Sequence, residues 1–569
     1  MTLDPAVDAW RRAVGAEHVL TETAELAAAE TATFPTTQRI VAIVRPADVV
    51  EVQACMRIAN EHRAPVYPVS RGRNWGLGSR VPVSTGCALL DLGRLDRIVD
   101  YDERLATITV QPGVTFQRVH DFLRERKSRL FAAVTGGPPD GSLVGNALER
   151  GEGSGPYGDR AAHVCGLEVV LPSGDVIRTG FARFANATTA RLSRVGVGPS
   201  LDGLFIQSNL GIVTELTVWL QPRPEYLETF VLAVDDTPAL AAAVDAIRPL
   251  VLQGTIPSHS FGLWNAYKLM AINGRYPWRA TKDRTPLRLR EIGGREPWSA
   301  VGALYAASAA QRAAGRKLVE AAVKGLSSPI SFESRKVTPD SLDPWLGVPT
   351  ARNLRSMYWR KKTDPVGFFS AFDPHRHRCG VMWLHPTLPF SGEHVAYAVE
   401  LMESSTAAHG FEPLIGMSAP SGRLINVYLA LVYDREVGGE DERAMECHDA
   451  LMERLVAAGY PPYRLGVQSM RSVPPSGTPY DDTLRALKAA LDPNAILAPG
   501  RYEVGATPHA AAIERPQFDP AAALRHLDGH RKAFGVPDSA PLDRFVDLVG
   551  EAKSCTIECS CKIEAGRVH

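Results

Sequence analysis

The sequence predicts a mixed helix-and-strand fold spread over more than one domain, and three observations carry that expectation. The chain has 569 residues, whereas single hydrophobic cores stop growing near roughly 250–300 residues. Up to about Gln221, helix-spaced and strand-length apolar runs are interleaved in a glycine-rich stretch. The proline-bearing segment QPRPE (221–225) then reads as a boundary, beyond which amphipathic helices dominate.

The elements follow in order. PADVVEVQACMRIANEH (46–62) reads as a helix, with Pro46 in its first turn and Val49, Val52, Met56 and Ala59 at helical spacing. APVYPV (64–69), CALLDL (87–92) and ATITVQ (106–111) read as short strands, and 115–126 returns to helical periodicity through Val119, Phe122 and Leu123. LEVVLPSGDVIRTG (167–180) reads as a hairpin turning at Pro-Ser-Gly-Asp, and IVTELTVWL (212–220) as a half-buried strand. Beyond the boundary, helices are expected over 238–250, over 393–409 closed by Gly410, and over 443–458 closed by Gly459. The stretch 483–502 reads as a helix stopped by Pro493, a short apolar strand and a glycine turn. Residues 361–380 lack a clean period and read as an insertion or long loop.

Composition excludes several classes. Hydrophobic residues make up 45% and charged residues 22%, so a largely disordered chain is ruled out. Lys+Arg and Asp+Glu both number 63, which argues against a nucleic-acid partner needing a basic face. No apolar run follows Arg11 and Arg12 as a signal peptide requires, and no stretch approaches 18 uninterrupted apolar residues. A soluble, cytoplasmic protein without a membrane partner is expected. Of eight cysteines, Cys555, Cys559 and Cys561 crowd the tail. Three ligands at that spacing fall short of the usual metal set, so free or loosely paired thiols on a flexible tail are expected, and no metal site.

Two glycine-rich stretches carry the chemistry. PVSRGRNWGLGS (68–79) runs from a strand into a turn with glycines at 72, 76 and 78 and Arg71 and Arg73 between them. Left-handed dihedrals there could gather backbone N–H groups into a phosphate-binding nest, although the turn alone is also compatible with an unusual hairpin. It is neither a P-loop nor the Rossmann fingerprint. TGGPPDGSLVGNALERGEGSGPYGD (135–159) packs eight glycines into 25 residues, a density that implies backbone passing close to something flat or charged.

With these stretches in place the sequence resembles the vanillyl-alcohol oxidase/p-cresol methylhydroxylase flavoproteins, most closely their para-substituted-phenol branch. The resemblance runs from about Ile40 to Tyr502 through RPADVVEVQ, PVSRGRNWGLG, QPGVTF, VGNALERGEGSGPYGD, GLEVVLPSGDVIRTG, DGLFIQSNLGIVT, GTIPS, ALYAA, GVPT, PPYRLG and DPNAILAPGRY. It implies a two-domain α+β flavoprotein. Residues 1–222 and 491–569 would form an FAD-binding domain of the vanillyl-alcohol oxidase type, with an α+β cap, the substrate domain, at 223–490. The resemblance assigns the FAD to Ser70, Arg71, Gly72, Arg73, Asn74 and Gly78. It adds Gly141, Ser142, Gly145, Asn146, Gly151, Gly155, Tyr157 and Gly158, then Gly211, Ile212 and Val213, and finally Arg501. Tyr463 and Arg464 match the family's pair that holds a phenolate oxygen, while Trp383 and His385 are expected beside the flavin ring or substrate; Trp383 reads equally well as core packing.

The chain departs from the family pattern at four places. Leu77 stands where a second phenolate-binding tyrosine belongs, and Gly137 where oxidase members carry an acid, with Asp140 three residues on. Val381 aligns with the histidine tether of the flavin and Met357 with the tyrosine tether, Tyr358 being one residue off register. TFPTTQR (33–39) lacks the assisting histidines, so FAD is expected without a covalent bond. His375, His377 and Cys379 alternate in HRHRC and would share one face of an extended strand, as an exposed basic loop, a pocket element, or a metal or flavin tether.

The expected activity is hydride removal from the side-chain carbon of an aromatic, phenolic small molecule to flavin N5. Molecular oxygen or a redox protein would accept the electrons, and the family suggests a homodimer. The competing readings are a non-redox FAD-dependent transferase of the same fold and a flavin-binding protein with little turnover.

Overall fold

Two strands and the helix between them build the first layer. In the computed structural model, Ile40–Val44 and Val66–Val69 flank Cys87–Asp91, and both run parallel to it. The intervening helix is Val49–His62, and the short strand Val19–Leu20 adds antiparallel to Ile40–Val44. Asp48 caps that helix by accepting Glu51 N at 3.0 Å, so the expected start at Pro46 moves inward. Val52, Cys55, Met56 and Ala59 face a core shared with Ala42, Val66 and Leu90. The description covers residues 4–289, 298–363, 372–470 and 477–503 of one unit. In the C-terminal unit it covers the antiparallel strand pair Ile563–Glu564 and Arg567–Val568. Cys555, Cys559 and Cys561 lie outside the described residues. No described helix is long and apolar enough to cross a membrane.

A five-stranded antiparallel sheet follows, in the order Ile98–Asp102, Thr107–Val110, Ile212–Trp219, Val164–Val170, Val176–Arg178. The expected hairpin closes as read, with Leu171 N and Asp175 O bonded across Gly174, whose φ is +84°. Ile212–Trp219 is the central strand, buried on both faces rather than half-buried. Its threonines permit this, because Thr214 reaches Glu168 and Thr217 shares a 2.8 Å contact with Thr109, so no hydroxyl needs water.

The third layer is antiparallel and built wholly from residues 226–434. Its order is Ile330–Lys336, Tyr226–Val234, Trp298–Ala306, Phe261–Asn265, Leu414–Ser421, Leu424–Asp434, Cys379–Leu384, with Thr387–Pro389 also on Leu424–Asp434. The helices Thr237–Leu252, Ala309–Val323, Gly392–Ala408 and Glu440–Ala457 share one core with its strands through Leu240, Val319, Val395 and Leu451. Gly410 and Gly459 stand in the left-handed region just past two of these helices, as expected.

The chain then returns to the first layer. The helix Pro479–Leu491 ends before Pro493, and Ile496 O accepts Val66 N at 2.8 Å while Ala498 N donates to Val66 O at 2.7 Å. The expected apolar strand is thus reduced to one parallel bridge, Val66 to Leu497. Asp492 holds the bend by accepting Ile496 N and Leu497 N, and it pairs with Lys488 Nζ at 2.7 Å. Lys488 also donates to Leu497 O and Asn209 O, tying this bend to the loop before the central strand. Removing one member of a buried ion pair leaves the other uncompensated. Lys488→Met is expected to lower stability by about 3 kcal/mol in urea unfolding.

Candidate active site

A cavity of about 700 Å³ opens beyond the carboxyl end of Val66–Val69 and extends to the large sheet. That is the usual position for a ligand in sheets of this kind, and the volume lies in the range of about 300–1,000 Å³ typical of ligand pockets. Of the residues expected at the cofactor, Ser70, Arg71, Gly72, Arg73, Asn74, Gly141, Ser142, Gly145, Asn146, Gly211, Ile212, Val213 and Arg501 all line it. Tyr463, Arg464, Trp383 and His385 line it as well. Gly72 has φ +61°, and a Cβ on Gly145 would stand 3.1 Å from Ser70 Oγ, so the two glycine-rich stretches meet here.

Five expected residues are not on the wall. Gly78 (φ +116°) serves packing, since a Cβ would come within 2.5 Å of Val467. Gly151, Gly155 and Gly158 serve packing of 151–159: Gly153 N bonds Gly158 O within the segment, Gly155 N bonds His259 O outside it, and a Cβ on Gly151 would strike Asn146. Tyr157 stacks on His163 with ring centroids 4.2 Å apart. Two guanidiniums are also less free than the sequence suggests. Arg73 pairs with Asp140 at 2.8 Å, and Arg501 pairs with Glu149 and donates to Tyr67.

Tyr463 and Arg464, which the resemblance matches to the family's phenolate pair, are fixed on the wall by backbone and side-chain bonds. Tyr463 N donates to His385 O, and Arg464 Nη2 donates to Asn74 Oδ1 at 3.0 Å. Burial and the nearby Glu152 carboxylate push the Tyr463 hydroxyl well above its ordinary pKa, so it stays protonated and can donate. His385 is buried and beside Arg464, which brings its pKa down to about 3. Its Nδ1 faces Val427 O at 3.4 Å, leaving Nε2 without a partner.

Sequence reasoning missed Glu152, His259, Lys268 and Tyr428, all on the wall. Asp140 does not supply the missing acid, because its carboxylate turns to Arg73 and away from the cavity. Two acids line the wall: Glu149, which is paired with Arg501, and Glu152, which accepts from Ser418 Oγ at 2.7 Å, Asn426 Nδ2 and Tyr428 OH, with His259 Nδ1 3.5 Å away. A charged residue set between glycines in GEGSG was the available signal. Leu77 and Gly137 both line the cavity, so neither position offers it a hydroxyl or an acid.

At the two tether positions, Val381 is fully buried off the wall and Met357 lines the cavity. Tyr358 lies off the wall, its hydroxyl 2.8 Å from His377 Nδ1. HRHRC forms no shared strand face. Residues 374–378 are a turn with Arg378 at φ +53°, and the strand begins only at Cys379, whose buried thiol is pushed up to about 12. The turn arises because Asp373 accepts Arg376 N through its side chain and His377 N through its carbonyl. The described residues contain no cluster of His, Cys, Asp and Glu able to hold a metal.

The cavity fits a polar, extended cofactor. Asn146 Oδ1, Ser79 Oγ, Arg464 Nε, His385 Nε2 and His259 Nε2 are buried on its wall with no hydrogen-bond partner among the described residues. Buried polar groups are normally satisfied, so their convergence marks a ligand's place. His385 also sets a pH dependence. The unfolded chain takes up its proton near pH 6.5 while the folded chain resists until about pH 3. Its stabilisation is therefore full above pH 6.5 and is lost as pH falls, at up to about 1.4 kcal/mol per unit. Between pH 7.5 and 5.0 the wild type is expected to lose about 2 kcal/mol more in urea unfolding than His385→Gln.

Comparison with known proteins agrees with this geometry. The family described as "FAD binding domain" matches residues 40–180. The 1'-carboxy-chondrochloren decarboxylase of Chondromyces crocatus is 45% identical over 530 residues, 88% of this chain and 97% of its own length. The flavoprotein subunit of the hydroxylating 4-cresol dehydrogenase of Pseudomonas putida is 28% identical over 517 residues, 87% of this chain and 94% of its own. The crystal structure of p-cresol methylhydroxylase with substrate bound superposes with a TM-score of 0.80 at 28% identity, covering 88% and 97% of the two chains. The chain therefore belongs to the p-cresol methylhydroxylase/vanillyl-alcohol oxidase family of FAD-dependent oxidoreductases, and it is an enzyme that binds FAD.

Proposed function

We propose that the enzyme removes hydride from the side-chain carbon of a para-substituted phenol. The observation that carries this reading is the placement of Tyr463 and Arg464 on the cavity wall, with Arg464 bonded to Asn74 of the glycine-rich turn. In this reading residues 1–222 and the segment from 491 hold FAD through 70–74, 141–146, 211–213 and Arg501, and 223–490 encloses the substrate. Bound FAD supplies the hydride acceptor at N5.

The chain's own groups have distinct tasks. Tyr463, protonated, donates to the phenol oxygen, and the Arg464 charge favours its anion. Phenolate electron density lowers the cost of hydride loss at the para side chain, leaving a quinone methide. The unpartnered Nε2 of neutral His385 is an acceptor that can receive the phenol O–H, but it does not replace the donor missing at Leu77. Glu152 is the carboxylate able to take a proton from the oxidised side chain or from an incoming water.

A second outcome is favoured by the 45% identical decarboxylase. Where the carbon next to the quinone methide bears a carboxylate, breaking that C–C bond returns its electron pair to the ring. CO₂ leaves, and a vinyl phenol remains. The reoxidant is molecular oxygen or a redox protein, and the assembly a homodimer.

Anaerobic addition of 4-alkylphenols is expected to bleach the flavin, and Tyr463→Phe to slow bleaching by about 10²–10³-fold while the protein keeps its FAD. Bleaching unchanged in Tyr463→Phe would end this reading. With no tether at 357 or 381, acid precipitation is expected to leave the yellow colour in the supernatant; colour in the pellet would show a covalent bond.

A further inference from the structure

The helix Ala266–Asn273 places Lys268 in its first turn, with Asn265 capping through its side chain onto Lys268 N at 3.0 Å. The lysine is 4% exposed and lines the cavity. Its Nζ lies 4.5 Å from the centroid of the Trp383 ring and 3.4 Å from Ser356 Oγ. No described carboxylate pairs with it, and burial alone brings its pKa down to about 7. A cation in the first turn is also opposed by the helix dipole. Buried ammonium groups are normally paired, and a methionine would fill the same space at lower cost. The missing partner is therefore expected to arrive with the ligand.

The surroundings set where that partner sits. Trp383 stacks against His385 with centroids 6.0 Å apart, and His385 lies 5.5 Å from the Tyr463 ring. Tyr463 thus stands at one end of this row of side chains and Lys268 at the other. Resting on the reading of Tyr463 and Arg464 as the phenol site, we propose that Lys268 is the subsite for a carboxylate on the substrate's side chain. The substrate class is then a phenol whose para side chain carries an anionic group, consistent with a decarboxylase among the relatives.

The test uses probes that lack an oxidisable benzylic carbon: 4-hydroxyphenoxyacetate, its amide, and phenoxyacetate. Binding to the FAD-loaded enzyme is read from the perturbed flavin spectrum. The wild type is expected to bind the acid at least tenfold tighter than the amide. Lys268→Met and Lys268→Gln are expected to bring that ratio near one with amide affinity unchanged, which also shows that both variants are folded. Because the free lysine loses its proton near pH 7, acid affinity falls about tenfold per unit above that pH, and amide affinity does not. Equal binding of acid and amide by the wild type, or a preference retained in both variants, overturns the proposal. So does a shifted flavin potential in Lys268→Met with an unchanged ratio, which would set the lysine against the cofactor. The phenol reading fails separately, if phenoxyacetate binds the wild type as tightly as 4-hydroxyphenoxyacetate.

Discussion

The approach of the Trp75–Gly78 turn to the edge of the large sheet fixes everything around the cavity. Gly76 O accepts Trp383 N at 3.2 Å, Trp75 O accepts the Trp383 indole at 3.1 Å, and Leu77 O accepts Val467 N at 3.0 Å. On its other side, Gly76 N donates to Thr33 Oγ1 at 2.9 Å. A Cβ on Gly76, whose φ is +80°, would come within 2.2 Å of Trp383 Cδ1. Three distant parts of the chain thus share one glycine-bearing segment. The turn is a backbone joint between layers.

The joint brings together groups that burial sorts by protonation. Tyr463 and Tyr428 are held protonated and His385 neutral, while Glu152 collects three donors from the neighbouring strands. Arg464 brings a positive charge at the Tyr463 end, and Lys268 stands beyond the Trp383 and His385 rings. Loss of the family's tyrosine at Leu77 and acid at Gly137 does not leave the cavity without polar groups. They come instead from the sheet face and from the start of the 151–159 segment.

The fold was legible where periodicity or turn chemistry is local. The helix over Val49–His62, the hairpin at Gly174 and the glycine stops at 410 and 459 all follow from short stretches. The central strand misled because its threonines look solvent-facing, whereas their partners come from other strands. The site was legible through motifs, which placed Tyr463, Arg464 and most of the glycine-rich wall. It was not legible where one residue's task depends on a neighbour distant in sequence. Lys268 and Tyr428 carry no local signature, and HRHRC alternates in sequence but folds as a turn because Asp373 competes for its backbone N–H groups.

The parallel bridge between Val66 and Leu497 has a consequence for biosynthesis. One part of the cavity wall is made early, by Tyr67–Asn74, and the segment bonded alongside it, Leu497–Arg501, is among the last described residues to leave the ribosome. Until they emerge, the nascent first sheet has an open edge and the cavity lacks a side. FAD, by binding the form in which these two segments are joined, stabilises their union by mass action.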